Sequence, residues 1–192
     1  MSFDPFRQLT SKTIRLPQEN IDTDQIIPGR FLTTTERAGL ADAAFHDWRY
    51  DASGQLIPGH PLNAHDLADR QILIAGDNFG CGSSREHAAW ALTQYGIRAV
   101  ISTKMGDIFK SNSMKNGLLT IIVPPEAHAA MMNAPDPTMN IDLEAGEIRF
   151  GNHVVPFEVE AFARLCLLEG KDSLEFLTDA SPEITAFEEA HP

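Results

Sequence analysis

The pattern of apolar and polar positions changes character along the chain. Residues 10–17, "TSKTIRLP", alternate and stop at Pro17, which predicts a strand. "QENIDTDQIIPGR" (18–30) is polar and turn-prone and closes on Pro28-Gly29. Residues 33–68 follow no clear period. "AGLADAAFHDWRY" is compatible with a short helix, and "DASGQLIPGHPLNAHD" reads as a loop. So long a connection inside a compact domain is expected to be functional or partly mobile.

From residue 71 the texture becomes regular. "QILIAG" (71–76) predicts a buried strand. Residues 84–95, "SREHAAWALTQY", place Ala88, Ala89, Leu92 and Tyr95 on one helical face, with Gly96 as the stop. Strands are predicted over 98–103 and 118–124, with a short helix at 106–117 between them. "PEAHAAMMNA" predicts a helix with Pro at its start. Residues 138–159 predict two or three short strands, turning at Ala145-Gly146 and Gly151-Asn152. "EAFARLCLLEG" and "DSLEFLTDA" predict helices separated at Gly170, and the acidic tail over 181–192 is expected to fray. Strand–helix–strand–helix–strand across 71–123 predicts an α/β fold with a mostly parallel sheet. A chain of 192 residues suits one domain, 1–192, with the excursion over 33–68.

Composition narrows the function. The net charge of -12 and the lack of a basic stripe argue against nucleic acid. An anionic substrate must then be held by a local positive site, since the global field repels it. Cys81 and Cys166 make no disulfide framework, and two thiolates alone do not hold an iron–sulfur cluster. "MSFDPFRQLT" lacks the layout of a signal peptide, and "LLTIIV" is too short to span a membrane. A cytoplasmic protein with no membrane partner is the expectation.

The chemistry concentrates in "GDNFGCGSSREHAAW" (76–90). Ligands of open α/β sheets sit beyond the carboxyl ends of strands, where "QILIAG" delivers this bend. Gly80 and Gly82 permit positive φ and close backbone approach. The following helix offers free N–H groups and its dipole, and Arg85 offers a planar fork for a carboxylate. Together these describe an anion site. A structural reading competes: Ser83-x-x-Glu86 fits a capping box, which explains one serine and the glutamate but not the glycines, the second serine or the arginine. A phosphate loop lacks its lysine, a dinucleotide fingerprint has Arg85 at its third glycine, and a nucleophile elbow lacks the glycine after serine. Cys81 reads as small-residue packing, and His87 as a structural histidine.

"GDNFGCGSSREHA" resembles the signature of the swivelling domain of the aconitase superfamily, and "NIDTDQIIP" (20–28) resembles its other hallmark. "FHDWRYD", "GDIFKSNSMKNGLL" and "RLCLLEGKDSL" extend the likeness over nearly the whole chain, in the manner of the superfamily's separate dehydratase small subunits. The resemblance implies a swivelling domain with β/β/α layers. It implies a hydro-lyase that moves a hydroxyl between adjacent carbons of a small dicarboxylate. An isopropyl-bearing malate is the expected substrate; homoaconitate, a methylated malate or a non-catalytic anion-binding role are the alternatives.

It further implies a large partner subunit in a heterodimer or heterotetramer. That subunit carries the [4Fe–4S] cluster, and this chain supplies no cofactor or metal ligand. Ser83 is then the catalytic base, acting as an alkoxide held by main-chain N–H groups. Ser84, Arg85, Thr23 and Asp24 bind substrate, with Asp24 ordering the Arg85 fork; an Asx turn at Asp22 or Asp24 is the structural alternative. Ile27, Phe31 and Leu32 are candidate apolar walls, or ordinary core. Aconitase has an arginine about a dozen residues after Thr-Asp; that register here falls at Glu36, beside Arg37.

Overall fold

A computed structural model of the chain describes residues 3–33, 39–64 and 66–191. Strand β1 (Gln8–Leu16) pairs in parallel with β2 (Ile72–Ala75), β2 with β3 (Ala99–Ser102), and β3 with β4 (Leu119–Ile122). On its other flank β1 pairs antiparallel with β5 (Thr138–Asp142), followed by β6 (Glu147–Phe150) and β7 (His153–Pro156). The sheet order is β4-β3-β2-β1-β5-β6-β7. Its first half is the expected parallel α/β unit, and its second half is antiparallel, with tight turns at Gly146 and Gly151 returning the chain between β5, β6 and β7.

The burial pattern explains the strand signals. Every residue of β2 and β3 is buried, as strands covered on both faces require. The sheet divides the core in two. On one face Ile14, Leu16, Leu73 and Val100 meet Ala88 and Leu92 of α3 (Glu86–Tyr95) and Phe109 of α4 (Asp107–Lys115). On the other, Ile72, Ile74, Ile101 and Ile121 meet Met131 of α5 (Pro125–Asn133) and Leu167 of α6 (Ala161–Glu169).

The irregular segment is tied into the first of these cores. Leu40, Ala43, Ala44, Phe45 and Leu62 are buried around α2 (His46–Arg49). Arg49 is buried with its charge satisfied. It donates to the carbonyls of Ala41 and Ala44, both at 3.0 Å, and lies 4.5 Å over the Tyr95 ring. Residues 34–38, including Glu36 and Arg37, and residue 65 lie outside the described residues. After α7 (Ser173–Asp179), residues from Ser181 form helix α8 (Ser181–Ala190) where fraying was expected. Pro182 in its first turn suits helix initiation, and Phe187 stays largely exposed. Among the described residues no helix is long and apolar enough to cross a membrane.

Gly80 shows how tightly the glycine bend is seated. Its φ is +68°, and a Cβ there would lie 2.3 Å from the Phe109 ring. Gly82 has φ +95° but room for a Cβ, with the nearest atom at 3.4 Å. Gly80→Ala should therefore cost about 3 kcal/mol or more, from backbone strain plus overpacking, and Gly82→Ala about 1 kcal/mol. Urea unfolding checks the ordering; equal losses would remove the packing argument.

Candidate active site

The site is built where two adjacent parallel strands end. β1 and β2 run in register, Leu16 opposite Ala75, so the loops after them emerge side by side at one sheet edge. Main-chain bonds then zip the loops together. Gly76 N–H donates to Leu16 O (2.9 Å), Asn20 N–H to Asp77 O (2.8 Å), Gly80 N–H to Ile21 O (2.7 Å) and Thr23 N–H to Cys81 O (2.9 Å). The loop after β3 closes the other side: Phe79 N–H donates to Lys104 O, and Gly106 N–H to Phe79 O. Gly106 permits this approach, since a Cβ there would lie 2.4 Å from Gly80 O.

Thr23 and Asp24 begin helix α1 (Thr23–Ile26). Asp22 is its N-cap, in a reciprocal capping box with Gln25: Gln25 N–H to the Asp22 carboxylate at 2.8 Å, Asp22 N–H to the Gln25 side chain at 2.9 Å. The Asx role thus falls to Asp22, and Asp24 is left for another partner. Its carboxylate takes both arms of the Arg85 guanidinium, Nη2–Oδ2 at 2.9 Å and a second bond from Nη1 to Oδ1. Arg85 is mostly covered, at 17% side-chain exposure, whereas Asp24 is 57% exposed, so a covered guanidinium is oriented by a carboxylate that reaches the surface. Thr23, almost wholly buried, donates its hydroxyl to the Ser83 carbonyl at 3.0 Å. This bond pins Ser83 directly against the Thr-Asp turn.

The capping-box reading of Ser83 and Glu86 does not hold. Helix α3 starts at Glu86, two residues later than its periodicity suggested, and its N-cap is Arg85 in extended conformation with no side-chain cap. Glu86 instead accepts from Asn116 Nδ2 at 2.9 Å, while Asn116 Oδ1 accepts from Trp90 Nε1 at 3.0 Å. This buried asparagine locks the start of α3 to the end of α4, a role nothing local in the sequence signals. Ser83 and Ser84 consequently sit in the loop, both exposed, just ahead of the helix N-terminus. Among the described residues, their N–H groups donate to no main-chain carbonyl, so they remain available to an anion beside the helix's positive end.

The remaining candidates separate. Ile27 is wholly buried in the core, with only its carbonyl near the site, 3.5 Å from Arg85 Nη1. Phe31 and Leu32 are half-buried at the edge of the same core. Cys81 is a free, half-buried thiol in the bend, and Cys166 is buried elsewhere. No three His, Cys, Asp or Glu side chains converge as metal ligands among the described residues. His87 is half-buried with its ring 4.6 Å from that of Trp90. An apolar groove of about 440 Å³ lies apart from Ser83, between α4, β4 and α6, with Met114, Ile122 and Phe162 in its walls.

A half-parallel sheet whose β1 and β2 loops lock a Thr-Asp turn onto a Gly-x-Gly-Ser-Ser-Arg bend defines a swivelling domain of the aconitase type. The chain matches the family described as "Aconitase C-terminal domain" over residues 3–126 and belongs to it. Within that family it groups with the small subunits of 3-isopropylmalate dehydratase. It is 48% identical over 186 residues to the 3-isopropylmalate dehydratase small subunit of Anaeromyxobacter dehalogenans strain 2CP-C, covering 96% of this chain and 97% of that one. It is 50% identical over 189 residues to the counterpart from Solibacter usitatus, covering 98% and 95%. The crystal structure of 3-isopropylmalate dehydratase from Methanocaldococcus jannaschii superimposes with a TM-score of 0.70 at 28% identity, covering 93% and 98%.

The Thr23 hydroxyl bond is open to a direct test. Thr23→Val keeps the shape and removes one buried hydrogen bond, worth about 1 kcal/mol. Hydrogen exchange of amides 81–86 should accelerate roughly fivefold with the rest of the sheet unchanged. Unchanged exchange there would mean the bond does not position Ser83.

Proposed function

We propose that this chain is the small subunit of a cytoplasmic hydro-lyase that interconverts 2-isopropylmalate and 3-isopropylmalate through 2-isopropylmaleate, a step of leucine biosynthesis. The carrying observation is the seating of Ser83 against Thr23, Asp24 and Arg85 at one exposed sheet edge. An exposed half-site of this kind, beside relatives named as small subunits, calls for a second surface to close it. That surface belongs to a large subunit bearing a [4Fe–4S] cluster. With its own donors limited to one free thiol in the bend, this chain is not the holder of that cluster. The cluster, when present, supplies a Lewis acid for the substrate's hydroxyl and one carboxylate.

The work of this chain is proton transfer and positioning. A hydrogen on carbon beside a carboxylate is weakly acidic, so its removal needs a strong base close by. A serine hydroxyl serves only if its anion is held, and the main-chain N–H groups of the loop ahead of α3 provide what an oxyanion hole provides. Ser83 takes the proton from carbon as the neighbouring C–O bond breaks and the hydroxyl departs, leaving the alkene. On rehydration, with the alkene's two ends exchanged, Ser83 returns the proton to the carbon that lost its oxygen. Arg85, its orientation fixed by Asp24, grips a substrate carboxylate, and Ser84 donates a hydrogen bond to it. Phe31 and Leu32 receive the isopropyl arm, and buried Ile27 holds their turn in place.

Ser83→Ala in the reconstituted two-subunit enzyme should lower kcat by about 10³-fold with KM little changed. Near wild-type turnover would reduce Ser83 to a loop residue. Arg85→Lys keeps the charge but loses the bidentate fork, so KM should rise roughly tenfold or more. A panel of isopropylmalate, homocitrate and citrate should give turnover on the first alone; citrate turnover would contradict the apolar arm.

A further inference from the structure

A second positive site lies on the flank of β1, away from Ser83. The β1–β5 register ends at Lys12 opposite Thr138, and after one more main-chain bond, Thr13 N–H to Pro137 O at 2.9 Å, the two chains part. A cleft of about 590 Å³ lies there, between the loop at His60 and Asn63 on one side and Pro135 and Pro137 on the other. Among the described residues, its polar and charged lining consists of Thr13, Arg15, His60, Asn63 and Arg70, with no carboxylate. In a chain of net charge -12, two arginines and a histidine meet at this cleft, with Asp66 bonded to Arg70 and Asp136 near Arg15.

Arg15 is the least satisfied of these side chains. Its Nε is buried with no hydrogen-bond partner, and its Nη2 reaches only the Asp136 carbonyl, at a long 3.4 Å. Burial, then Arg70, weaken its hold on its proton, against a smaller opposing pull from Asp136. Thr13, two residues back on the same face of β1, is 1% exposed, and its Oγ1 also has no partner. Buried polar groups without partners are uncommon in native folds, and two of them border one cleft.

The other donors are already set. Arg70 is held by Asp66 (2.7 and 3.2 Å) and by the Thr13 carbonyl (2.8 Å), so its charge is fixed in place. His60 accepts from Leu62 N–H through Nδ1 at 3.3 Å, which leaves the ring proton on Nε2 as a donor. Asn63 is occupied by the carbonyls of Arg49 and Ile57.

We propose that this cleft is an anion site separate from the Ser83–Arg85 site, taking a compact oxyanion such as a phosphate or a short dicarboxylate. Arg15 is its principal ligand. The anion would satisfy Arg15 Nε and compensate the mutual repulsion of Arg15 and Arg70.

Calorimetric titration of the full chain with inorganic phosphate and with malonate tests this, with malonamide as the neutral counterpart. The expected result is binding at a Kd of about 1 mM or tighter, mutual competition between the two anions, and no response to malonamide. Arg15→Gln should weaken binding about tenfold or more, the value of a charge-assisted hydrogen bond, and Thr13→Val severalfold. Arg85→Gln should leave this binding intact. Circular dichroism confirms folding, and should Arg15→Gln fail to fold, Thr13→Val carries the test. Binding lost in Arg85→Gln but kept in Arg15→Gln would place the anion in the catalytic loops and overturn the proposal. Equal binding of malonamide, or no heat at roughly ten times that concentration, would overturn it too.

Discussion

The parallel register of β1 and β2 is the constraint on which the site depends. With Leu16 opposite Ala75, the two chains leave the sheet at the same height and stay hydrogen-bonded as they leave it. The zipper from Leu16 to Cys81 makes two loops, sixty residues apart in sequence, behave as one rigid edge. The Thr-Asp turn and the Ser-Ser-Arg bend therefore need no separate device to find each other. The hydrophobic cost of separating them would fall on β2, which is buried at every position.

The same edge explains why the charge is arranged as it is. In the proposed function an acidic protein would meet an acidic substrate with a covered arginine whose fork is held by Asp24, while the helix N-terminus beside it carries no side-chain cap. A Ser or Asp cap at the start of α3 would stabilise the helix by about 1 kcal/mol, and Arg85 in the N-cap position provides none. Such local under-satisfaction is typical where structure gives way to function, and here α3 is held instead by the buried Asn116 bridging Glu86 and Trp90. The isolated chain thus presents prepared donors on an open face, consistent with a site that a second subunit completes.

Much of this was legible in the sequence, for identifiable reasons. Continuous apolar runs gave β2, β3 and β4, and Gly96 and Gly170 marked helix ends in left-handed conformation. The two hallmark loops were legible as motifs. What could not be read was long-range. Ser83 and Glu86 imitate a capping box, and only Asn116, thirty residues on, takes Glu86 out of that role. Asp22 and Asp24 are indistinguishable as letters; Gln25 assigns the cap to the first, and Arg85 claims the second. Ile27 read equally as an apolar wall or as ordinary core, and only the fold shows that its side chain is buried in the core. The Arg15 cleft exists because the segment leading into β5 parts from β1 beyond Thr13, an event in a different part of the chain.

The central claim is that main-chain N–H groups ahead of α3 stabilise an anion on the side chain at position 83. Replacing Ser83 with cysteine puts a titratable group on that spot in the isolated subunit, with no partner or cluster required. The rate of alkylation against pH, taken as the difference from the wild-type chain with its own two cysteines, reports the new thiol's pKa. The account predicts a value clearly below the ordinary thiol value of about 8.5. A value at or above it would contradict the account.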